Sequence, residues 1–302
     1  VEGLSLVDLT KALFQAHKRG EIDLPKPLTQ YAMMQLARTS RTRDGRMVVH
    51  PHAMDLAQGK FVRVPEDLKQ LPRKRRKRLV VTIATGPQHE PLLEICGPWM
   101  KRYADKCGAD YVQLTGTSQY WWGIEKFRLQ PLVSMYDRTL FLDADVMVSP
   151  RAPNIFKAVP RNMIAMHDDL KRLLPTTWKY WIERKNVADS QGLPEKNYPY
   201  MLNTGVVVCS REHAGIWRPP QKRLPCTHCD EQFWIERQCE PFELFELEDR
   251  WNWEFWFDDF KQKLDSAWMV HYVNVPVQQR GAMMRDVARL FESQLSRLAT
   301  AR

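Results

Sequence analysis

Two aspartates separated by one residue close a run of apolar side chains in Phe141-Leu142-Asp143-Ala144-Asp145-Val146. Carboxylates at the end of a buried strand are strongly disfavoured unless something compensates their charge. A hard divalent cation does so, because Mg²⁺ and Mn²⁺ prefer carboxylate and phosphate oxygens. An Asp-x-Asp alone is a weak signal. Flanked by an apolar strand on one side and by Val146-Met147-Val148 on the other, it becomes a stronger one. The chemistry it could serve is the metal-assisted binding of a phosphate-bearing substrate.

Such a pair has to be held by regular elements, and hydrophobic patterning supplies them from residue 79 onward. Leu79 to Gly86 reads as a buried strand ending at a glycine, and Glu90 to Cys107 as a helix delayed or kinked by Pro98. Ala109 to Leu114 is expected to be a strand and Lys126 to Tyr136 a helix. Thr139 to Leu142, Met163 to Met166 and Thr204 to Cys209 are short apolar strands, and Arg285 to Leu298 is a closing amphipathic helix. This alternation predicts a doubly wound α/β sheet with its chemistry at the strand ends. Thr85-Gly86, Asp143-Ala144-Asp145 and His167-Asp168 then share one rim.

With that framework the motifs resemble the glycogenin-like and lipopolysaccharide-galactosyltransferase-like glycosyltransferases of family eight, which have the GT-A fold. The first strand ending Ala84-Thr85 resembles the family's nucleotide-binding strand, and Lys126-Phe127 its phosphate-assisting Lys-Phe/Leu pair. Met201-Leu202-Asn203-Thr204-Gly205-Val206 resembles an Asn-x-Gly-Val strand, and Cys229-Asp230-Glu231-Gln232 an Asp-Gln segment near the sugar and acceptor. Arg250-Trp251-Asn252-Trp253 resembles a late Asn motif. Trp268 to Tyr272 resembles the strand that brings a third metal ligand, here His271. The resemblance spans about residues 79–275. It departs after His271, where Tyr272-Val273-Asn274 stands in place of the family's Gly and Lys-Pro-Trp, leaving Arg280 as the cation available to the diphosphate.

The resemblance implies a mixed GT-A sheet, a nucleotide-diphospho-sugar donor (UDP-sugar expected), Mn²⁺ or Mg²⁺, and retention of configuration. Asp143, Asp145 and His271 would be the metal ligands. Thr85, Gly86, Lys126, Asp143, Ala144, Asp145, Asp168, Asn203, Gly205 and Arg280 would bind the donor. Lys126, Asp230 and Gln232 would be the catalytic positions, with Asp230 or Glu231 as base if the enzyme inverts. Metal and lysine would offset charge on the departing diphosphate. Each residue also has a plainer use: His271 as a core histidine, Lys126 as a surface lysine, Asn203 as a turn residue, Asp168 and Asp169 as a solvated loop. Trp251, Trp253, Trp256 and Phe257, like Tyr120-Trp121-Trp122-Gly123, could stack on sugar or pack the core. Cys226, Cys229 and Cys239 have metal-like spacing without a second Cys-x-x-Cys.

The charge distribution bears on the acceptor. The chain has 302 residues and a net charge of +9. Residues 1–78 carry 17 Lys and Arg against 8 Asp and Glu, so the whole excess lies there. A basic, mostly helical segment (1–78), with helical patterns at Leu4 to His17 and Thr29 to Ala37, is expected to precede a neutral catalytic domain (79–302). It ends in six successive cations, Arg73 to Arg78. That run is either a solvated linker or a contact for a phosphate polymer, which would make DNA or RNA, for instance a modified base in DNA, the acceptor. Glycans, lipid-linked acceptors and proteins are the other acceptor classes. The competing class is a nucleic-acid-binding protein with an inactive GT-A-like body; a nucleotidyltransferase has no Gly-rich phosphate loop to support it. No leader or membrane-length apolar run is seen and the cysteines read as reduced thiols, so a cytoplasmic location is expected.

Overall fold

Leu79, Val80 and Val81 have no polar side to turn toward water, and a strand of that kind is stable only inside a sheet covered on both faces. In a computed structural model of the protein they lie in that position. The structure describes residues 40–41, 47–48, 76–116, 124–172, 177–196, 198–225, 229–257 and 259–300. The chain divides into two compact units, residues 1–61 and 62–302. Of the first, the described residues are two short antiparallel strands, β1 (Ser40–Arg41) and β2 (Met47–Val48). The two expected N-terminal helices lie outside the described residues.

The second unit is built on a six-stranded sheet. Its strands in chain order are β3 (Arg76–Ile83), β4 (Asp110–Leu114), β5 (Tyr136–Asp143), then β7 (Met163–Asp168), β8 (Leu202–Ser210) and β9 (Glu243–Glu246). Between them in sequence lies β6 (Val146–Val148), which joins β10 (Trp253–Glu254) and β11 (Met269–His271) in a second, three-stranded sheet. The large sheet has the order β4-β3-β5-β8-β7-β9. Strand β3 pairs in parallel with β4 and β5, whereas β8 runs antiparallel to both β5 and β7. The α/β fold with a mixed sheet is therefore as expected. Because β8 is reversed, it brings its first residues, Leu202 to Gly205, to the rim where β3 and β5 end.

Four helices concern the site: α1 (Leu93–Cys107), α2 (Thr177–Gln191), α3 (Asp230–Gln238) and α4 (Val277–Thr300). A short 3₁₀ turn, Glu90–Leu92, precedes α1, and Pro98 sits within the helix. Cys96, Met100, Tyr103, Ala104 and Cys107 form its buried stripe. Helix α4 begins eight residues before the expected start and buries Met284, Val287, Phe291 and Gln294 at helical spacing. Its Phe291 meets Trp99 of α1 edge-on at 5.4 Å.

The boundary expected at residue 78 falls inside β3, which begins at Arg76. Arg73 to Arg75 of the cationic run lie outside the described residues. The Arg78 guanidinium donates to the Cys107 carbonyl at 2.7 Å and lies over the Phe156 ring.

Helix α2 is fastened to the start of α3 through Glu183, a buried carboxyl that accepts the Cys229 backbone N–H. Its second oxygen has no hydrogen-bond partner. Burial, only partly countered by Lys179, pushes its pKa up to about 7. The native state thus holds a proton that the unfolded chain releases near pH 4.5, and this contribution to stability is lost as pH rises from there through about 7. Glu183→Gln is expected to remove that dependence. Its stability should match wild type at pH 4.5 and exceed it at pH 8 by an amount on the order of 2 kcal/mol, seen as a higher thermal midpoint. Parallel melting curves at both pH values, with no difference at pH 8, would refute it.

Candidate active site

The rim formed by the ends of β3 and β5 and the start of β8 opens into a cleft of about 310 Å³. Strand β5 delivers Asp143 as its last residue, and Ala144 and Asp145 follow in the turn to β6. Strand β11 ends at His271, which pairs with Val146 across the antiparallel β6–β11 ladder. The first turn of α4 supplies Arg280, and the 3₁₀ turn Ile124–Arg128 supplies Lys126. Residues spread over more than 150 positions thus meet in one volume because the two sheets share the segment around Asp145.

One ligand atom from each of Asp143, Asp145 and His271 lies within 4.8 Å of the others. His271 Nε2 is 3.4 Å from Asp145 Oδ1 and 3.9 Å from Asp143 Oδ2. Its other nitrogen, Nδ1, faces the Asn252 side-chain oxygen at 3.1 Å. Asn252 in turn donates from Nδ2 to Glu254 at 2.7 Å, which assigns Oδ1 as the acceptor for His271. Nδ1 thus donates to Asn252, and Nε2 faces the two aspartates, the nitrogen and direction that a metal-ligating imidazole would use.

Gly205 fits the same arrangement. A Cβ at this position would stand 2.2 Å from His271 Cε1, so the missing side chain is the space the imidazole fills. Two carboxylates and one imidazole nitrogen form a donor set suited to Mn²⁺ or Mg²⁺. The residues present therefore fit the expected cation.

Cations flank the carboxylates. Lys126 Nζ lies 3.1 Å from Asp143 Oδ2, 3.1 Å from the Thr204 hydroxyl and 3.4 Å from Glu231 Oε1. Burial works to lower its pKa, but Asp143 and Glu231 together hold it above the usual lysine value. Arg280 donates to Asp145 Oδ2 at 2.7 Å. Although burial favours the neutral acid at Asp145, His271 and Arg280 hold its carboxyl well below the usual range. Lys126 is accordingly no surface lysine, and His271 is buried with a specific partner at each nitrogen.

The far end of the cleft is lined by Asp169, Tyr180, Gln232, Glu254 and Trp256. Asn203 donates from Nδ2 to Asp169 Oδ2 at 3.0 Å and accepts the Gly205 N–H at 2.8 Å. Glu231 Oε2 and Gln232 Nε2 are buried without a hydrogen-bond partner. Glu254 has its pKa raised well above the usual carboxyl value by burial and by the neighbouring Asp169. This end offers both hydrogen-bond acceptors and donors, and Trp256 also lines it.

Thr85, Lys126, Asp143, Ala144, Asp145, Asn203, Gly205, Gln232, His271 and Arg280 all line the cleft. Three expected positions do not. Gly86 adopts φ +79°, a left-handed conformation that turns the chain out of β3, and its N–H is bonded to Glu90. Asp168 uses one oxygen to accept the Leu170 and Met201 N–H groups, and the cleft-facing acid is Asp169. Asp230 is fully buried at the start of α3, where Glu231 and Gln232 face the cleft instead.

Trp251, Trp253 and Phe257 pack the core, whereas Trp256 lines the cleft. Cys229 and Cys239 are buried and belong to no metal-binding group among the described residues, while Cys226 lies outside them, as do residues 120–123. Glu254 and Tyr180 were not foreseen. Glu254 lies two residues beyond Asn252, and only its burial marks it.

No protein-family model matches the chain, and no curated protein does. Among solved structures, it is similar to a glycosyltransferase involved in the glycosylation of the major capsid of PBCV-1. That match has 15% identity and a TM-score of 0.49, covering 69% of this chain and 98% of that one. It is also similar to the glycosyltransferase GlyE of Streptococcus pneumoniae TIGR4, at 16% identity and TM-score 0.40, over 72% of this chain and 64% of that one. Mouse xyloside xylosyltransferase 1 matches at 13% identity and TM-score 0.37, over 66% of this chain and 99% of that one. No helix among the described residues is long and apolar enough to cross a membrane. These three structures are glycosyltransferases, each at 16% identity or less.

Proposed function

We propose that the protein is a metal-dependent glycosyltransferase of the GT-A type that takes a nucleotide-diphospho-sugar, with a UDP-sugar as the expected donor. The observation that carries this reading is the convergence of Asp143, Asp145 and His271 between Lys126 and Arg280, in a cleft also lined by Asp169, Asn203, Glu231 and Gln232. Asp143, Asp145 and His271 would hold a divalent cation, Mn²⁺ or Mg²⁺, which when bound supplies positive charge against the leaving diphosphate.

Lys126 and Arg280 add two fixed cations at the same end, aimed where negative charge grows as the glycosidic bond breaks. Thr85 lines the cleft at the end of β3, where the nucleotide is expected to lie. Asn203, Asp169 and Gln232 orient the sugar, and the unpaired oxygen of Glu231 and nitrogen of Gln232 are satisfied by its hydroxyls or by the acceptor. Asp168 and Asp230 support this arrangement from behind. Retention of configuration is carried by the family resemblance. For the acceptor, a phosphate-rich polymer engaged by residues 73–78 is the proposal that the charge distribution favours, with Arg78 withdrawn from that surface by its bond to Cys107.

The test is donor binding and hydrolysis with UDP-glucose, UDP-galactose, UDP-N-acetylglucosamine and UDP-xylose, with Mn²⁺ and with EDTA. Turnover of one donor that disappears on chelation is the expected result. Silence across these donors, together with tight and salt-sensitive DNA binding, would favour a nucleic-acid-binding protein with an inactive body.

A further inference from the structure

Behind the cleft, His167 at the end of β7 is buried and bonded at both ring nitrogens. Nδ1 lies 2.9 Å from Asp169 Oδ1, and Nε2 lies 3.0 Å from Asp249 Oδ1. Both partners are carboxylates that accept hydrogen bonds, so each nitrogen must carry a proton, and the ring is an imidazolium. Asp169 is the acid that faces the cleft, and its second oxygen takes the Asn203 amide. Asp249 is tied on its outer side to Arg172, which lies over the Phe257 ring at 4.3 Å and reaches Asp259 at 3.4 Å. A continuous chain of charge-assisted bonds therefore runs from half-exposed Arg172 and Asp249, through His167, to the two cleft-lining groups Asp169 and Asn203.

We propose that His167 is a positioning residue: clamped between Asp249 and Asp169, its imidazolium fixes the Asp169 carboxylate, and with it Asn203, in the orientation that reads the hydroxyls of the donor sugar. This rests on the glycosyltransferase reading above and adds to it a residue that touches neither donor nor metal. A carboxylate free to rotate would lose the Asn203 contact and spread its two acceptor positions over several directions. The ring also stands beside Glu254, whose Oε1 lies 4.0 Å from Nδ1. The charged and titratable groups facing His167 are thus Asp169 and Glu254 on the cleft side and Asp249, backed by Arg172, on the outer side. Consistent with that set, the two carboxylate bonds outweigh burial and raise the His167 pKa to about 9.

The test uses His167→Gln, which has one amide and cannot serve both carboxylates, and Asp249→Asn at the outer, half-exposed end. UDP with Mn²⁺ probes the diphosphate end alone, and the UDP-sugar that wild type hydrolyses fastest probes both ends. His167→Gln is expected to weaken UDP-sugar binding about tenfold or more while UDP binding stays within about twofold. Asp249→Asn should move the same way by about threefold and lower the pH at which the His167 Cε1 proton titrates by NMR. Equal losses for UDP and UDP-sugar, or no change in either, would overturn the role of His167 while leaving the donor reading intact. A His167 that titrates near pH 6.5 in wild type would do the same. Wild type that binds none of the UDP-sugars would overturn the donor reading and this assignment with it.

Discussion

Asp143→Asn and Asp145→Asn should each lower kcat/KM for donor turnover by about 10³-fold, ~4 kcal/mol of transition-state stabilisation, and abolish its dependence on Mn²⁺. The two positions are not equivalent in the fold, and the difference sharpens the expectation. Asp145 is almost enclosed, bonded by Arg280 and beside His271. An asparagine there keeps the side chain's shape and an oxygen for Arg280, so the fold loses little. Asp143 is a quarter exposed at the end of β5 and shares Lys126 with Glu231. Losing its charge leaves Lys126 with Glu231 alone, so folding should again survive. Circular dichroism and thermal midpoints near wild type, combined with lost Mn²⁺ affinity by calorimetry, would identify a metal site. Normal turnover in both variants would sink the assignment.

The sign of the whole cleft matters for that expectation. Asp143, Asp145, Asp169 and Glu231 line it, with Glu254 held toward its neutral form by burial, against Lys126, Arg280 and the imidazoles of His89 and His271. A diphosphate would be repelled from such a surface unless a divalent cation joined the aspartates, which is why removing one aspartate should cost donor binding as well as chemistry.

Much of the fold could be read from the chain because buried strands are written in side-chain type. Leu79-Val80-Val81 and Val206-Val207-Val208 admit hardly any other location than the middle of a sheet. Strand direction is not written there. The reversal of β8 follows from how it docks between β5 and β7, and hydropathy is blind to it. Helix α4 begins earlier than its apolar pattern because its first turn follows Pro276 and is anchored by Arg280 on Asp145, a contact between residues 135 apart.

The site divides in the same way. Asp143, Asp145, Lys126, Asn203 and His271 are legible through motifs whose order resembles that of a family, and all five line the cleft. The choice between Asp168 and Asp169, or between Asp230 and Glu231, turns on one residue of register. Asp168 ends β7 with its carboxylate capping the Asp169–Lys171 turn, so its neighbour is the one presented to the cleft. Asp230 begins α3 fully buried, and the next two side chains project into the cavity. Glu254 escaped notice because a glutamate among tryptophans looks like surface decoration until the second sheet folds over it.

Gly205→Ala is expected to be the most damaging alanine substitution among the described glycines. The added Cβ would lie 2.2 Å from His271 Cε1 and 2.8 Å from both ring nitrogens, closer than atoms approach without displacement. Strand β8 cannot retreat, being hydrogen-bonded to β5 on one side and β7 on the other. The ring must therefore leave its bond to Asn252, and Nε2 leaves the two aspartates with it. Mn²⁺ affinity should fall by about 100-fold, close to 3 kcal/mol, and turnover with it. Overpacking should cost a further ~1–3 kcal/mol of stability. Gly215→Ala, where a Cβ meets nothing within 4 Å, provides the control and should leave both properties near wild type.

The double variant Gly205→Ala/His271→Ala separates the two effects. Removing the imidazole relieves the clash, so stability should return toward wild type while Mn²⁺ binding stays lost, a coupling of one to several kcal/mol in the mutant cycle. Additive losses in stability would mean that Gly205 is required for some reason other than the histidine it faces. Undiminished Mn²⁺ affinity in Gly205→Ala would mean that His271 is not a ligand, and the metal would then have to be held by the aspartates alone.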